Sequence, residues 1–246
     1  MPIIMRAAPL VGTAGWSLPR TVQAHFAGDG SHLERYARVF HAVEINSTFH
    51  RPHRASTFAR WAGSVPPEFR FSVKCPRTIT HDQGLVGADA LVDAFLAQIA
   101  PLGERLGCLL VQLPPKLALD ASRASAFLSH LRGAFSGAIA LEPRHESWFT
   151  PAADRMLVRF EVARVAADPP HARNGFEPGG WDGLAYYRLH GSPRVYYSSY
   201  DGAFLEAMAE RLAALPRAGV PTWCIFDNTT LGAGTANALS LMSSLR

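Results

Sequence analysis

The sequence predicts an α/β fold: a single (β/α)8 barrel of the TIM type with an irregular sixth βα connection, spanning residues 1–246 as one domain. Three observations carry that prediction. Strand-like apolar runs recur eight times, at intervals of roughly 20–40 residues. Helical patterns lie between most of them, the alternation expected of a parallel sheet with crossover helices. The length of 246 residues and a 48% hydrophobic content suit one large core.

The runs fall near 10–14, 42–45, 69–73, 108–113, 137–141, 162–166, 184–189 and 222–226. Ser31 and Glu34 form a capping-box signature ahead of a first helical stripe of Leu33, Tyr36, Ala37 and Phe40. Phe58, Trp61 and Ala62 face inward on a second helix, and Leu91, Phe95, Leu96, Ile99 and Leu102 on a third. Asp120 caps a fourth, with Ala124, Phe127, Leu128 and Leu131 as its apolar face. Thr150 followed by Pro151 is an N-cap with proline at the first helical position. Segment 169–183 holds three prolines and four glycines, which prevent a regular helix of any length, so a long loop replaces the sixth helix. Asp201 opens the next helix, with Leu205, Met208, Ala209 and Leu212 on one face, and Ala236 and Leu239 mark the last.

Composition bounds the function. No apolar run approaches the ~20 residues of a membrane span, and the first residues lack the longer apolar region of a secretory signal. Cys75, Cys108 and Cys224 match neither a disulfide framework nor zinc spacing, which points to a reducing, cytoplasmic compartment. The net charge of +4 and pI of about 9.2 suit a small anionic ligand or, as an alternative, nucleic acid. Lys74 and Lys116 are the only lysines among 24 basic residues. Where arginine fills the ordinary solvated positions, a lysine carries weight, because a compact ammonium is not interchangeable with a guanidinium.

In βα barrels chemistry sits at the carboxyl ends of the strands. Those ends carry Trp16 and Ser17; Glu44, Asn46 and Thr48; Lys74 with His81 beyond it; Gln112 and Lys116; Glu142, Arg144 and His145; Asp168; Arg188 and His190; Asp227 and Asn228. Pro143 has no N–H for a sheet ladder and so ends the fifth strand just where Glu142 and Arg144 stand. Alternation along a strand puts Glu44 with Asn46, and Arg188 with His190, on one face. Burying so many charges at one end is costly unless they are paired, and favours a functional cleft. Segment 228–237 is small, polar and glycine-containing and leads into a helix, a pattern that suits an anion. Glu44, Glu142, Asp168, His190 and Asp227 are the candidate ligands of a divalent metal. No His-x-His or His-Glu-x-x-His pattern accompanies them, so no metal ligand is assigned and no cofactor is evident.

Six stretches in order resemble one family: Val43-Glu44-Ile45-Asn46-Ser47-Thr48-Phe49; Phe71-Ser72-Val73-Lys74-Cys75-Pro76 with Thr80-His81; Gln112-Leu113-Pro114-Pro115; Glu142-Pro143-Arg144-His145-Glu146-Ser147-Trp148; Arg188-Leu189-His190-Gly191; and Asp227-Asn228-Thr229. Together, from about Val11 onward, they resemble the YecE-like family of uncharacterised proteins, domain of unknown function 72. The resemblance implies a βα barrel and no established reaction. That family often has a tyrosine after the Thr-Phe pair of the first stretch, where this chain has His50.

The reading that follows is an enzyme. Glu142 or Glu44 acts as general acid or base, with Lys74 and His190 assisting proton transfer. Arg144 and Arg188 bind an anionic group and stabilise developing negative charge. Trp16, Asn46, His81, Gln112, His145, Asp168 and Asn228 complete the binding surface. The substrate is small and polar, phosphorylated or carboxylated. The alternatives are a divalent-metal-dependent phosphodiesterase or isomerase, and a non-catalytic protein that binds nucleic acid or a metabolite.

Overall fold

A computed structural model describes residues 8–215 and 219–245. Every apolar run contains strand. The strands are β1 (Leu10–Thr13), β2 (Ala42–Ile45), β3 (Arg70–Lys74), β4 (Leu106–Gln112), β5 (Ile139–Glu142), β6 (Val162–Arg164), β7 (Ala166–Asp168), β8 (Gly179–Gly180), β9 (Ala185–Leu189) and β10 (Thr222–Phe226). Between them lie α1 (His32–Ala37), α2 (Ala55–Gly63), α3 (Asp89–Ile99), α4 (Ala121–Ala134), α5 (Pro151–Arg159), α6 (Gly202–Ala214) and α7 (Ala233–Ser244). The caps follow the sequence. Ser31 and Glu34 make both halves of a capping box, and the side chains of Asp120, Thr150 and Asp201 accept from the first turns of α4, α5 and α6.

The strands form a mixed α/β fold with two largely parallel sheets, ordered β1-β10-β9-β7 and β2-β3-β4-β5-β6-β8. Among the described residues, the one antiparallel pair is the two-residue β8 against β6. The expected sixth strand is divided at Val165. Its first half pairs with β5 and its second half with β9, so consecutive residues belong to different sheets. At their other edges the sheets touch through a parallel bridge between Ala14 and Glu44, where the Gly15 N–H also donates to the Glu44 carbonyl at 2.8 Å. Gly12 makes this approach possible, because a β-carbon there would collide with the carbonyl oxygen of Ala42.

Two apolar layers sit on opposite faces of the strands. Val43, Ile45, Phe71, Val73, Leu109, Val111 and Leu141 pack outward against the helices. Ala42, Cys108, Leu110, Ala140, Ala163, Tyr186, Trp223 and Ile225 form one cluster drawn from both sheets. The connection from 169 to 184 contains no helix. It is nonetheless well tied down: Gly175 O accepts from Ala167 N–H at 2.9 Å, Gly180 N–H donates to Asp154 at 3.0 Å, and Arg211 pairs with Glu177 at 2.9 Å.

Two helical stripes differ from expectation. On α3, Val92, Phe95 and Ile99 are buried while Leu91 is 37% exposed. On α7, Ala238 and Leu241 are buried, and Ala236 and Leu239 lie only at the margin. Each face is rotated by one or two positions from that read off the sequence. With 3.6 residues per turn, the first residue of a helix sets which stripe meets the sheet. Among the described residues, no helix is long and apolar enough to cross a membrane.

Candidate active site

Along each strand, residues two apart share a face. On the face bearing the shared cluster, side chains pass from uncharged to charged or amide groups toward the carboxyl ends: Ala42 then Glu44, Ser72 then Lys74, Leu110 then Gln112, Ala140 then Glu142, Tyr186 then Arg188, Ile225 then Asp227. The polar end of that progression is the candidate site.

Arg188 is its hub. Fully buried on β9, it donates from Nε and one terminal nitrogen to the two oxygens of Glu44 at 2.9 and 2.6 Å. Its other terminal nitrogen donates to Glu142 Oε2 at 3.0 Å, and Asp227 Oδ2 lies 3.0 Å from the fork. A planar guanidinium with five fixed donors can join three carboxylates in this way, and lysine cannot. Below it the Tyr186 hydroxyl lies 3.0 Å from Glu44 and 2.9 Å from Ser72, which ties β2, β3 and β9 together.

Glu142 is saturated. Gln112 Nε2 donates to both of its oxygens at 3.0 Å, and Arg144 Nε reaches Oε1 at 3.1 Å. His190 Nε2 stands 3.0 Å from Oε1, while its Nδ1 stands 3.0 Å from Asp227 Oδ2. Both imidazole nitrogens therefore face carboxylates, which favours the doubly protonated ring. Burial opposes charge on every member of this group, and the partners outweigh it. Arg188, His190 and Arg144 hold Glu142 well below the usual carboxylate range. Arg188 and His190 likewise lower Asp227, and Glu142 and Asp227 raise His190.

Lys74 is different. It is 6% exposed, and among the described residues no carboxylate comes within ion-pair distance of its ammonium. Nζ instead lies 4.1 Å from the centroid of the Phe49 ring, a cation–π contact. Burial, reinforced by Arg188, brings its pKa down to about 8, with Glu44, Asp227 and Glu142 pulling weakly the other way. His81, edge-on to Phe49 at 4.8 Å, is pushed down to about 4 by burial and then by Lys74, Arg77 and Arg144. In formal charges, Glu44, Glu142 and Asp227 face Arg144, Arg188, His190 and Lys74. The group carries one positive charge in excess when His190 and Lys74 are protonated.

Glu44, Gln112, Glu142, Arg144, Arg188 and His190 thus form one hydrogen-bonded network, with Lys74 and His81 beside it. The remaining expected residues lie outside that network. Trp16 packs edge-on against Trp61 of α2, their centroids 5.0 Å apart. His145 caps its own turn through Ser147. The Asp168 carboxylate accepts from the Tyr200 hydroxyl at 2.8 Å, and the Asn228 amide donates to Ser198 and Asn237 beneath the last loop. Asn46, the residue after β2, has a buried, unpartnered Oδ1. Five residues outside the expected binding and catalytic set touch this cluster: Asp227, Phe49, Tyr196, Tyr186 and Ser72. Asp227 stood only among the candidate metal ligands, although its place at a strand end marked it. Phe49 carries no polar signal. Tyr196 holds Arg144 through its hydroxyl at 3.1 Å and has a φ of +70°, which no local pattern announces.

Glu44, Glu142, Asp227 and His190 spend their lone pairs and protons on Arg188, on one another, and on Tyr186, Gln112 and Arg144. Among the described residues, no group of three or more His, Cys, Asp and Glu side chains is arranged to hold a metal ion.

Comparison with known proteins fits this arrangement into a family. Residues 10–246 match the family described as "Protein of unknown function DUF72". The chain is 33% identical over 170 residues to the UPF0759 protein YecE of Escherichia coli K12, covering 66% of this chain and 60% of that protein. It is 26% identical over 180 residues to the UPF0759 protein YunF of Bacillus subtilis 168, covering 68% and 63%. The matches thus span about three-fifths of the length of these relatives. Among solved structures, a DUF72 family protein of Thermotoga maritima MSB8 superposes with a TM-score of 0.80 at 26% identity, covering 97% of this chain and 99% of that one. One from Enterococcus faecalis V583 has the same fold, with a TM-score of 0.80 at 21% identity over 95% and 94% of the two chains. The chain belongs to the DUF72 family.

Proposed function

We propose that the two sheets are halves of one (β/α)8 barrel, and that the chain is an enzyme acting at the carboxyl-end mouth on a small anionic substrate. The β1–β2 bridge, the passage from β6 directly into β7 and the cluster shared by both sheets support the barrel. One observation carries the function: a buried lysine with no carboxylate partner among the described residues, whose proton is exchangeable near pH 8, beside a network whose own charges balance, so that the lysine is the one positive charge in excess. A group with its pKa near the working pH suits proton transfer. In this reading Lys74 moves the proton. Glu142 and Asp227, held ionised, and the twice-paired His190 serve as the rigid polar floor instead. Arg144, 16% exposed at its side chain and aimed by Glu142 and Tyr196, contacts the substrate's negative group. Arg188, fully enclosed, stays in the floor.

The test incubates the protein with a mixture of phosphorylated and carboxylated metabolites and follows their depletion by mass spectrometry. Wild-type protein is expected to consume at least one of them, with a pH dependence that breaks near 8. Lys74→Arg, folded by circular dichroism, is expected to lose that turnover. Equal turnover by the variant would remove Lys74 from the chemistry, and binding without depletion would make the site non-catalytic.

A further inference from the structure

Buried polar atoms without partners are rare in folded proteins, and each calls for an explanation. Among the described residues, four side-chain nitrogen or oxygen atoms are sealed from solvent with no hydrogen-bond partner: Asn46 Oδ1, Arg105 Nε, His171 Nε2 and Asn228 Oδ1. Arg105 lies just before β4, at the opposite end of that strand from the site. Asn228 is fully enclosed, its amide spent on Ser198 and Asn237. The other two flank the mouth. Asn46 follows β2 two residues after Glu44 and on the same side of the strand, and its loop is fastened to the site strand by the Thr48 hydroxyl, which donates to Lys74 O at 2.7 Å. His171 sits three residues after Asp168 at the start of the tied-down sixth loop, within electrostatic reach of Arg144, Glu142 and His190.

We propose that Asn46 and His171 are ligand contacts that read opposite halves of one molecule, so that the substrate class is a hydroxylated anion: a small compound carrying both a carboxylate or phosphate and a hydroxyl group. This rests on the proposed anion site. An amide oxygen only accepts, so its missing partner is a donor, and a substrate hydroxyl supplies one. His171 stands near Arg144. Burial and then Arg144 lower its pKa, so the ring is neutral, and a neutral ring with Nε2–H donates to an anionic oxygen at no cost in added charge. Arg144 and Lys74 supply the remaining positive charge. The sixth loop is held at Gly175, Gly180 and Glu177, which keeps His171 beside the site, and a rotation of the ring opens its enclosed Nε2 to the ligand.

Calorimetry with two matched pairs tests this: glycolate against acetate, and glycerol 3-phosphate against inorganic phosphate. The hydroxylated member of at least one pair is expected to bind about tenfold more tightly, the value of one hydrogen bond to an otherwise unpartnered buried acceptor. The pair that shows the preference tells a carboxylate from a phosphate. Asn46→Ala is expected to erase the preference, measured as the affinity ratio within each pair. His171→Ala is expected to weaken every anion, and His171→Gln, which keeps a donor, to restore part of that loss. Binding of all four anions without a hydroxyl preference, or a preference that survives Asn46→Ala, would overturn the inference and leave the anion site standing. Failure of all four to bind would overturn both. Thermal unfolding of each variant, with the same midpoint as wild type, separates these outcomes from misfolding.

Discussion

The ammonium of Lys74 lies 4.1 Å from the centroid of the Phe49 ring, while the neighbouring carboxylates are engaged by Arg188, Arg144 and His190. An aromatic face offsets part of the cost of burying a cation without neutralising it. That leaves the lysine short of an ion-pair partner, and its pKa near 8 follows.

The first prediction concerns stability at the lysine. A lysine whose folded pKa is depressed binds fewer protons in the folded state between about 8 and its ordinary 10.5. Stability should therefore rise with pH across that window, and the cost of the buried charge is fully present below pH 8. Lys74→Met is expected to stabilise the fold by roughly 2 kcal/mol at pH 7 and to flatten the alkaline rise. Urea unfolding at pH 7 and pH 10 measures both, and a less stable variant at pH 7 would contradict the assignment.

Arg188 gives the opposite sign. Removing it leaves Glu44, Glu142 and Asp227 facing one another without their shared cation. Arg188→Met is expected to cost at least ~3–5 kcal/mol, the usual penalty for breaking a buried pair from one side. Arg188→Lys should recover little of it, because an ammonium cannot reproduce the fork. Denaturation midpoints of the two variants decide the point.

Acid should attack the same floor. The folded pKa of Glu142 is depressed, so its contribution is present above its unfolded value of about 4.5 and is lost as pH falls through the folded value. Glu142→Gln is expected to be less stable than wild type at pH 7 yet to lose less on acidification. Thermal midpoints at pH 7 and pH 4 test this, and parallel loss in both proteins would exclude Glu142 as the acid-sensitive group.

Tyr196 aims Arg144 from a left-handed backbone conformation that a bulky residue adopts at a cost of order 1 kcal/mol. Tyr196→Phe keeps that backbone and the ring packing against His190, but frees one guanidinium nitrogen. Phosphate affinity by calorimetry is expected to fall several-fold with little change in thermal midpoint. An unchanged affinity would show that Arg144 needs no second anchor.

Much of this arrangement was legible in the sequence because strand periodicity is local. Glu44, Lys74, Gln112, Glu142 and Arg188 each stand within one residue of the end of an apolar run, and a run that turns polar there reveals both the strand and the candidate site. The caps at Ser31, Asp120, Thr150 and Asp201 depend on three or four adjacent residues and were legible for the same reason. What the sequence hid is long-range or conformational. Arg188 meets Glu44 across 144 positions, and the division of the sixth strand at Val165 depends on which neighbour each half pairs with. Trp16 follows β1, and its contact with Trp61 of α2 joins residues 45 positions apart, which no local pattern announces. Tyr196 follows from a φ angle, and His171 from the path of a loop.

The scarcity of lysine gives the molecule an unusual spectroscopic property. Its side chains include only two primary amines, Lys116 in the solvent and Lys74 buried at the end of β3. Reductive methylation with isotope-labelled formaldehyde leaves every guanidinium untouched, so a fully modified chain would carry only two lysine side-chain methyl resonances. One reports on bulk water. The other reports on the Phe49 ring face, whose ring current displaces it from the first, so proton exchange at Lys74, and the arrival of any ligand offered to it, can be followed without a reporter placed anywhere else.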